Sequence, residues 1–175
     1  MKTNIILILF VFVLSASFGL PKGIQKRVDK ELKNVFEVET FEMKAMQVDA
    51  TIEEQLPLKI GENKLFRVSK GEKLLGYAFV DRAPSKTAEF DYLVIFDENL
   101  IIKRAKVLIY REEYGGEIGS KRWLKQFIGK SQTDTLEYQK NVSAISGATI
   151  SVRSMTNAVN NVLKSIGILH ENNVL

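Results

Sequence analysis

Between Leu65 and Tyr110 the chain alternates strand-like segments with turns too short to hold a crossover, and no other feature constrains the fold as tightly. Leu65-Phe66-Arg67-Val68 runs into the turn Lys70-Gly71-Glu72, and Leu74 to Val80 returns beside it. After Arg82-Ala83-Pro84-Ser85-Lys86 comes Phe90 to Phe96, closed by Asp97-Glu98-Asn99, and Leu100 to Tyr110 supplies the next strand. Parallel neighbours need a connection of about a dozen residues or more, so these segments pair antiparallel. Gly76, inside the second of them, predicts a bulge or a close approach to the backbone.

Helical periodicity flanks this block. Ile24, Val28, Leu32, Val35 and Phe36 recur at spacings of three and four beyond Pro21-Lys22-Gly23, which predicts an amphipathic helix over 23–36. Val38 to Ile52 reads as a strand or a short strand plus turn. Trp123, Leu124, Phe127 and Ile128 share one helical face in Ser120 to Ile128, with Gly129 as the stop. Ser151 to Ile166 carries the stripe Val152, Met155, Val159, Val162, Leu163 and Ile166, with Gly167 ending the helix. The expected class is α+β, an antiparallel sheet covered by helices with a long C-terminal helix.

The N-terminus sets the expected compartment. Lys2 precedes an apolar run from Ile5 to Leu14, and small residues follow at Ser15, Ser17 and Gly19, the layout of a secretory signal peptide over residues 1–19 cleaved after Ser17 or Gly19. Even extended to Leu20 the run is 16 residues, against about 20 for a bilayer crossing. An uncleaved anchor is the alternative, and either places a single domain of residues 20–175 outside the cytoplasm, in the periplasm or on the outer face of the cytoplasmic membrane. The chain has no cysteine, which excludes disulfides, thiolate chemistry and iron–sulfur ligation. Its one histidine, His170, cannot build a histidine triad or a three-histidine zinc site. The formal charge of +4 comes from interspersed residues, which argues against nucleic acid as a partner.

Chemistry is concentrated in Ser143-Ala144-Ile145-Ser146-Gly147-Ala148-Thr149-Ile150-Ser151, where small residues and hydroxyls crowd just before the clearest helix. One reading is capping by Ser146, Thr149 or Ser151. The other is a phosphate or anion site, since small side chains at Gly147 and Ala148 admit a ligand to the backbone and a helix N-terminus presents free N–H groups.

Ser146-Gly147-Ala148-Thr149 followed by Ile150-Ser151 resembles the flavinylation motif of the FMN-binding domain family, which includes the covalently flavinylated subunits of the sodium-pumping quinone reductase and of the related ferredoxin-oxidising complex. Tyr110-Arg111-Glu112-Glu113-Tyr114-Gly115-Gly116-Glu117-Ile118, Lys121-Arg122-Trp123-Leu124 and Gln126-Phe127-Ile128-Gly129-Lys130 are similar to the middle of small exported members, so the likeness covers about residues 65 to 168. The resemblance implies FMN esterified through its phosphate to Thr149 by a separate flavin transferase that consumes FAD and a divalent metal. Nothing near Thr149 in the sequence could activate its hydroxyl, so the transferase supplies base and metal. The family usually places aspartate three residues before the first motif serine; here Ser143 stands there, which puts the rate of modification, or the choice of transferase, in question.

A covalent FMN needs a wall for its flat ring. Tyr114 and Trp123 are the candidates, beside Gly115-Gly116, where the ring can lie near backbone and the N–H groups can face its reduced edge. Trp123, sharing a helical face with Phe127, reads equally as core. Glu117 is carried as a weak site residue, able instead to pair with Arg111 or Arg122, and Arg153 as a charge partner for the phosphate or a surface arginine. No glycine-rich dinucleotide fingerprint follows a strand. The expected function is therefore electron transfer between redox partner proteins, some membrane-bound, with the cofactor doing the redox chemistry and the protein holding and tuning it. The competing readings are a non-covalent FMN or anion-binding module, and a ligand-free structural or interaction domain.

Overall fold

The computed structural model describes residues 19–175; the proposed signal segment up to Phe18 lies outside them. Strands β1 (Glu42–Ala45), β2 (Leu65–Lys70), β3 (Lys73–Pro84), β4 (Glu89–Asp97) and β5 (Ile102–Ile109) form one antiparallel sheet in the order β1-β2-β3-β4-β5. Each strand pairs with its neighbour in sequence; from β2 to β5 the short turns require it, while β1 reaches β2 through a longer connection over 46–64. Helix α1 (Lys22–Phe36) covers one face of the sheet and α4 (Thr149–Glu171) the other. The expected α+β class is what the chain forms. Among the described residues no helix is long and apolar enough to cross a membrane.

The strand period of two divides the core. Tyr77, Phe79, Tyr92, Val94 and Phe96 point toward α4 with Val152, Met155, Val159, Val162, Leu163 and Ile166. Ala78, Val80, Leu93 and Ile95 point the other way, to Ile24, Val28 and Leu32 of α1. Strand β4 is thus buried on both faces, which explains its unbroken apolar run Tyr92 to Phe96. Gly76 sits where β2 and β3 slip register between Val68 and Ser69, and a Cβ there would come to 2.0 Å from the Phe96 carbonyl oxygen. The close approach expected of it is the neighbouring strand.

One local expectation is met with a detail added, and two are corrected. The segment 38–52 holds β1 and then a short helix α2 (Ala50–Glu53), capped by the Asp49 carboxylate, which accepts from the Thr51 N–H at 2.9 Å. The helix expected over 120–128 is a single turn, α3 (Lys121–Leu124), that tightens into a 3-10 turn (Lys125–Phe127). The narrower 3-10 turn and the extended backbone at Ile128 rotate that side chain off the buried face, leaving it 44% exposed while Trp123, Leu124 and Phe127 stay buried. Gly167 does not stop α4, which continues to Glu171. It is buried, and its missing side chain admits Gln132, whose Cβ would lie 3.1 Å from an added Cβ. Packing of the 131–136 loop, and not termination, accounts for this glycine.

Candidate functional site

The connection between β5 and α4 carries the motif to the end of the sheet where the β3–β4 turn projects. Gly147 has φ 76°, a left-handed conformation that favours glycine, and the Ala148 N–H closes a turn onto the Ile145 carbonyl at 3.2 Å. This turn feeds the chain into α4 with Ala148 as the N-cap residue and Thr149 as the first helical residue. The expectation that Ser146, Thr149 or Ser151 caps the helix is therefore corrected: the N-cap position falls on alanine, and no side chain makes a capping bond to the backbone N–H groups of the first turn. Among the described residues nothing accepts from the backbone N–H groups of Thr149, Ile150 and Ser151; the first intrahelical bond is from Val152 to Ala148 at 2.9 Å. A helix of 23 residues thus presents unpaired donors and the positive end of its dipole at Thr149.

These donors face a cleft of about 840 Å³, lined by Ser85, Lys86 and Thr87 of the β3–β4 turn, Tyr110 to Tyr114, and Gly147 to Ser151. The volume lies in the range of pockets for drug-sized or cofactor-sized ligands. Thr149 and Tyr114 are exposed on its rim, Tyr114 at 75%. Ile150, 51% exposed, lines it as well.

The other expected site residues divide. Ala148 is buried, and its methyl group packs on Gly115, where an added Cβ would come to 2.8 Å from the Ala148 Cβ and 3.0 Å from the Tyr110 hydroxyl. Gly115, at φ 84°, opens the 3-10 turn Gly116–Gly119, and Gly116 is exposed. Ser146, Glu117 and Trp123 lie on a second, smaller cleft of about 570 Å³ on the other side of the motif. Trp123 belongs to the core: it is 6% exposed, packs edge-on against Phe127 with ring centroids 5.2 Å apart, and donates through Nε1 to the Ser143 carbonyl at 2.8 Å. Arg153 points at the face of the Tyr138 ring, 4.9 Å from its centroid. Ser151 is 3% exposed and bonds to Ser85 and Tyr110.

The polar groups that the sequence did not single out come from strand ends. Glu112 accepts from the Thr87 N–H at 2.6 Å, the Thr87 hydroxyl at 2.8 Å and the Ala88 N–H at 3.0 Å, tying the loop after β5 to the β3–β4 turn. The Thr87 backbone and hydroxyl bonds, foremost, hold its carboxyl at about 2. Arg111 is committed to Asp91 and to the Glu89 carbonyl, and Asp91 also accepts from Arg82 at 3.1 Å. Lys86 is the lining cation that makes no ion pair among the described residues. Free helix N–H groups, an uncommitted lysine and an exposed aromatic ring around one cleft suit a ligand with a phosphate at one end and a flat ring at the other.

Residues 87–164 match the family model of the FMN-binding domain, from the β3–β4 turn through most of α4. No curated protein matches the chain.

Proposed function

For a chain that carries an FMN-binding domain, and is in that sense an FMN-binding flavoprotein, we propose that the flavin is attached through its phosphate to Thr149 and that the protein transfers electrons outside the cytoplasm. The observation that carries this reading is the position of Thr149. Its hydroxyl is exposed on the rim of the larger cleft, at the start of a helix whose first N–H groups have no partner in the protein. A phosphodiester there gains hydrogen-bond donors and a favourable dipole, and Lys86 on the facing turn offsets its charge.

The residues present fit FMN. The cleft is large enough for it, free helix N–H groups stand at the Thr149 end, and Tyr114 offers an aromatic face at the rim. When bound, FMN supplies one- and two-electron chemistry; the chain would hold the phosphate and set the polarity around the ring. In the attachment step the Thr149 oxygen forms a bond to the FMN-side phosphorus of FAD as the pyrophosphate bond breaks. AMP leaves, and the hydroxyl proton passes to a base on the flavin transferase, which also brings the divalent metal. Ser143, in the place of the family's aspartate, is exposed, so a transferase that grips this position meets a hydroxyl in place of a carboxylate.

Export rests on Lys2 and the apolar run that follows it, and the redox partners proposed are proteins, some of them membrane-bound. N-terminal sequencing of protein from an exported fraction should begin at Phe18 or Leu20; an intact Met1 on membrane-bound material would show an anchor instead. Attachment is tested on protein co-expressed with an active flavin transferase. Intact-mass spectrometry should show an FMN phosphodiester adduct, mapped to the peptide containing Thr149, whose colour survives acid precipitation. Colour released by acid means non-covalent FMN, and a colourless protein means that Thr149 is not modified.

A further inference from the structure

The cleft floor contains a group of hydroxyls that neither attachment nor ring binding uses. Ser85 Oγ lies 2.7 Å from Ser151 Oγ, Ser151 Oγ lies 3.0 Å from the Tyr110 hydroxyl, and the Tyr110 hydroxyl donates to the Tyr114 carbonyl at 3.0 Å. Each hydroxyl has one proton. A carbonyl only accepts, so Tyr110 spends its proton on Tyr114 and accepts from Ser151, and Ser151 accepts from Ser85. The chain runs Ser85 to Ser151 to Tyr110 to the Tyr114 backbone, with the Glu112 carboxylate as the other acceptor beside Ser85.

These residues come from the β3–β4 turn, the first turn of α4, and the end of β5 with the loop after it; Glu112 already ties the first of these to the last, and the hydroxyls add the helix to that pair. We infer that Ser151 and Tyr110 are positioning residues, and that this directed hydroxyl chain holds the first turn of α4, with Thr149 at its start, against the other two walls of the cleft. The first turn needs such an anchor because no side chain caps it. Ser151 faces inward while Thr149, two residues earlier on the helix, faces the rim, so a bond at one fixes the direction of the other. Gly115 packs on Ala148 beside the same hydroxyl, which extends the hold to the turn before the helix.

The role proposed for Thr149 rests on the reading above; the anchoring itself does not. The test uses the flavin-free full chain and the variants Ser151→Ala, Tyr110→Phe, their combination, and Ser151→Thr, which keeps the hydroxyl. Hydrogen exchange of the Val152 amide, the first in α4 with a backbone acceptor, should accelerate about threefold to tenfold in either single variant, the range one net hydrogen bond corresponds to. Because the bonds act in series, the double variant should exchange no faster than about the faster single one, and Ser151→Thr should restore slow exchange. Adduct formation with a flavin transferase and FAD should then fall in kcat with KM unchanged, since the exposed surface is intact and only the presentation of the hydroxyl is altered. Unchanged exchange in Ser151→Ala, or independent multiplying effects in the double variant, would overturn the anchoring. Coupled exchange together with wild-type protein that takes no adduct would leave the anchoring standing and sink the attachment reading instead.

Discussion

Thr149→Ala should abolish covalent FMN while leaving the fold almost untouched, and the structure makes the second half of that statement quantitative. Losing a threonine cap costs about 0.5–2 kcal/mol, a change large enough to confuse loss of flavin with loss of structure. That cost does not arise here. The cap position is Ala148, the Thr149 hydroxyl makes no hydrogen bond within the described residues, and the side chain is exposed. What remains is a surface substitution at the first helical position, worth no more than about 0.5 kcal/mol in either direction, with alanine the better helix former. At about 2–4 °C per kcal/mol for a domain of this size, the melting temperature should move by less than about 2 °C. Wild type and variant, co-expressed with the same transferase, would be compared by circular dichroism melting, intact mass and in-gel flavin fluorescence. The variant should melt with the wild type and carry neither adduct nor fluorescence, and Thr149→Ser should regain part of the modification. An adduct persisting in Thr149→Ala would refute the assignment. Ser146 is then the residue to suspect, since it is exposed, whereas Ser151 is 3% exposed and already bonded.

Tyr114→Leu should retain the covalent flavin but shift its absorbance or midpoint potential, because a mostly exposed ring on the cleft rim is exchanged for an aliphatic chain; identical spectra and potential would remove Tyr114 from the site. Gly115→Ala should both destabilise the protein and slow modification of Thr149, since the new methyl meets the Ala148 Cβ at 2.8 Å in a backbone conformation that L residues resist; a cost of about 1–3 kcal/mol is expected by chemical denaturation, and a neutral result would show that the loop yields freely. The Glu112 latch titrates with a folded-state value held at about 2, below its ordinary 4.5, so its stabilisation is complete above about 4.5 and is lost as pH falls toward 2. Carbon-detected titration of the Glu112 carboxyl should find that low value in the wild type and a partly raised one in Thr87→Val, which loses the hydroxyl bond but keeps the two backbone N–H bonds; a near-ordinary value in the wild type would mean that the latch does not form.

What the sequence made legible follows from how local each signal is. The β2–β5 strands and the stripe of α4 are written in short-range periodicity, and the structure forms them where that periodicity lies. Thr149 could be singled out because the small-residue turn and the helix start are adjacent in sequence. Its cleft partners could not. Ser85, Lys86 and Thr87 read only as a turn, and it takes the β3–β4 and β4–β5 pairings to bring them beside a helix that begins more than sixty positions later. Trp123 illustrates the opposite difficulty, since an aromatic ring near a glycine pair suits a wall or a core equally, and only its burial against Phe127 and its bond to Ser143 decide for core. Gly167 carries the same lesson for helix ends: a glycine needed for close packing looks in sequence like a stop.

The strictly sequential strand order has a consequence for how the binding cleft comes into being. From β2 onward a meander of this kind can be assembled in chain order, each strand finding its predecessor across a short loop, which keeps the entropy of closure low. The cleft is a different matter, because one of its walls is the start of α4, and that wall arrives only after the sheet is complete. Until it docks, the face of the sheet carrying Phe79, Tyr92 and Val94 is bare and prone to association. Completion of the cofactor pocket thus coincides with shielding of that face, so a modifying enzyme that recognises the assembled cleft would act only on chains that have finished folding.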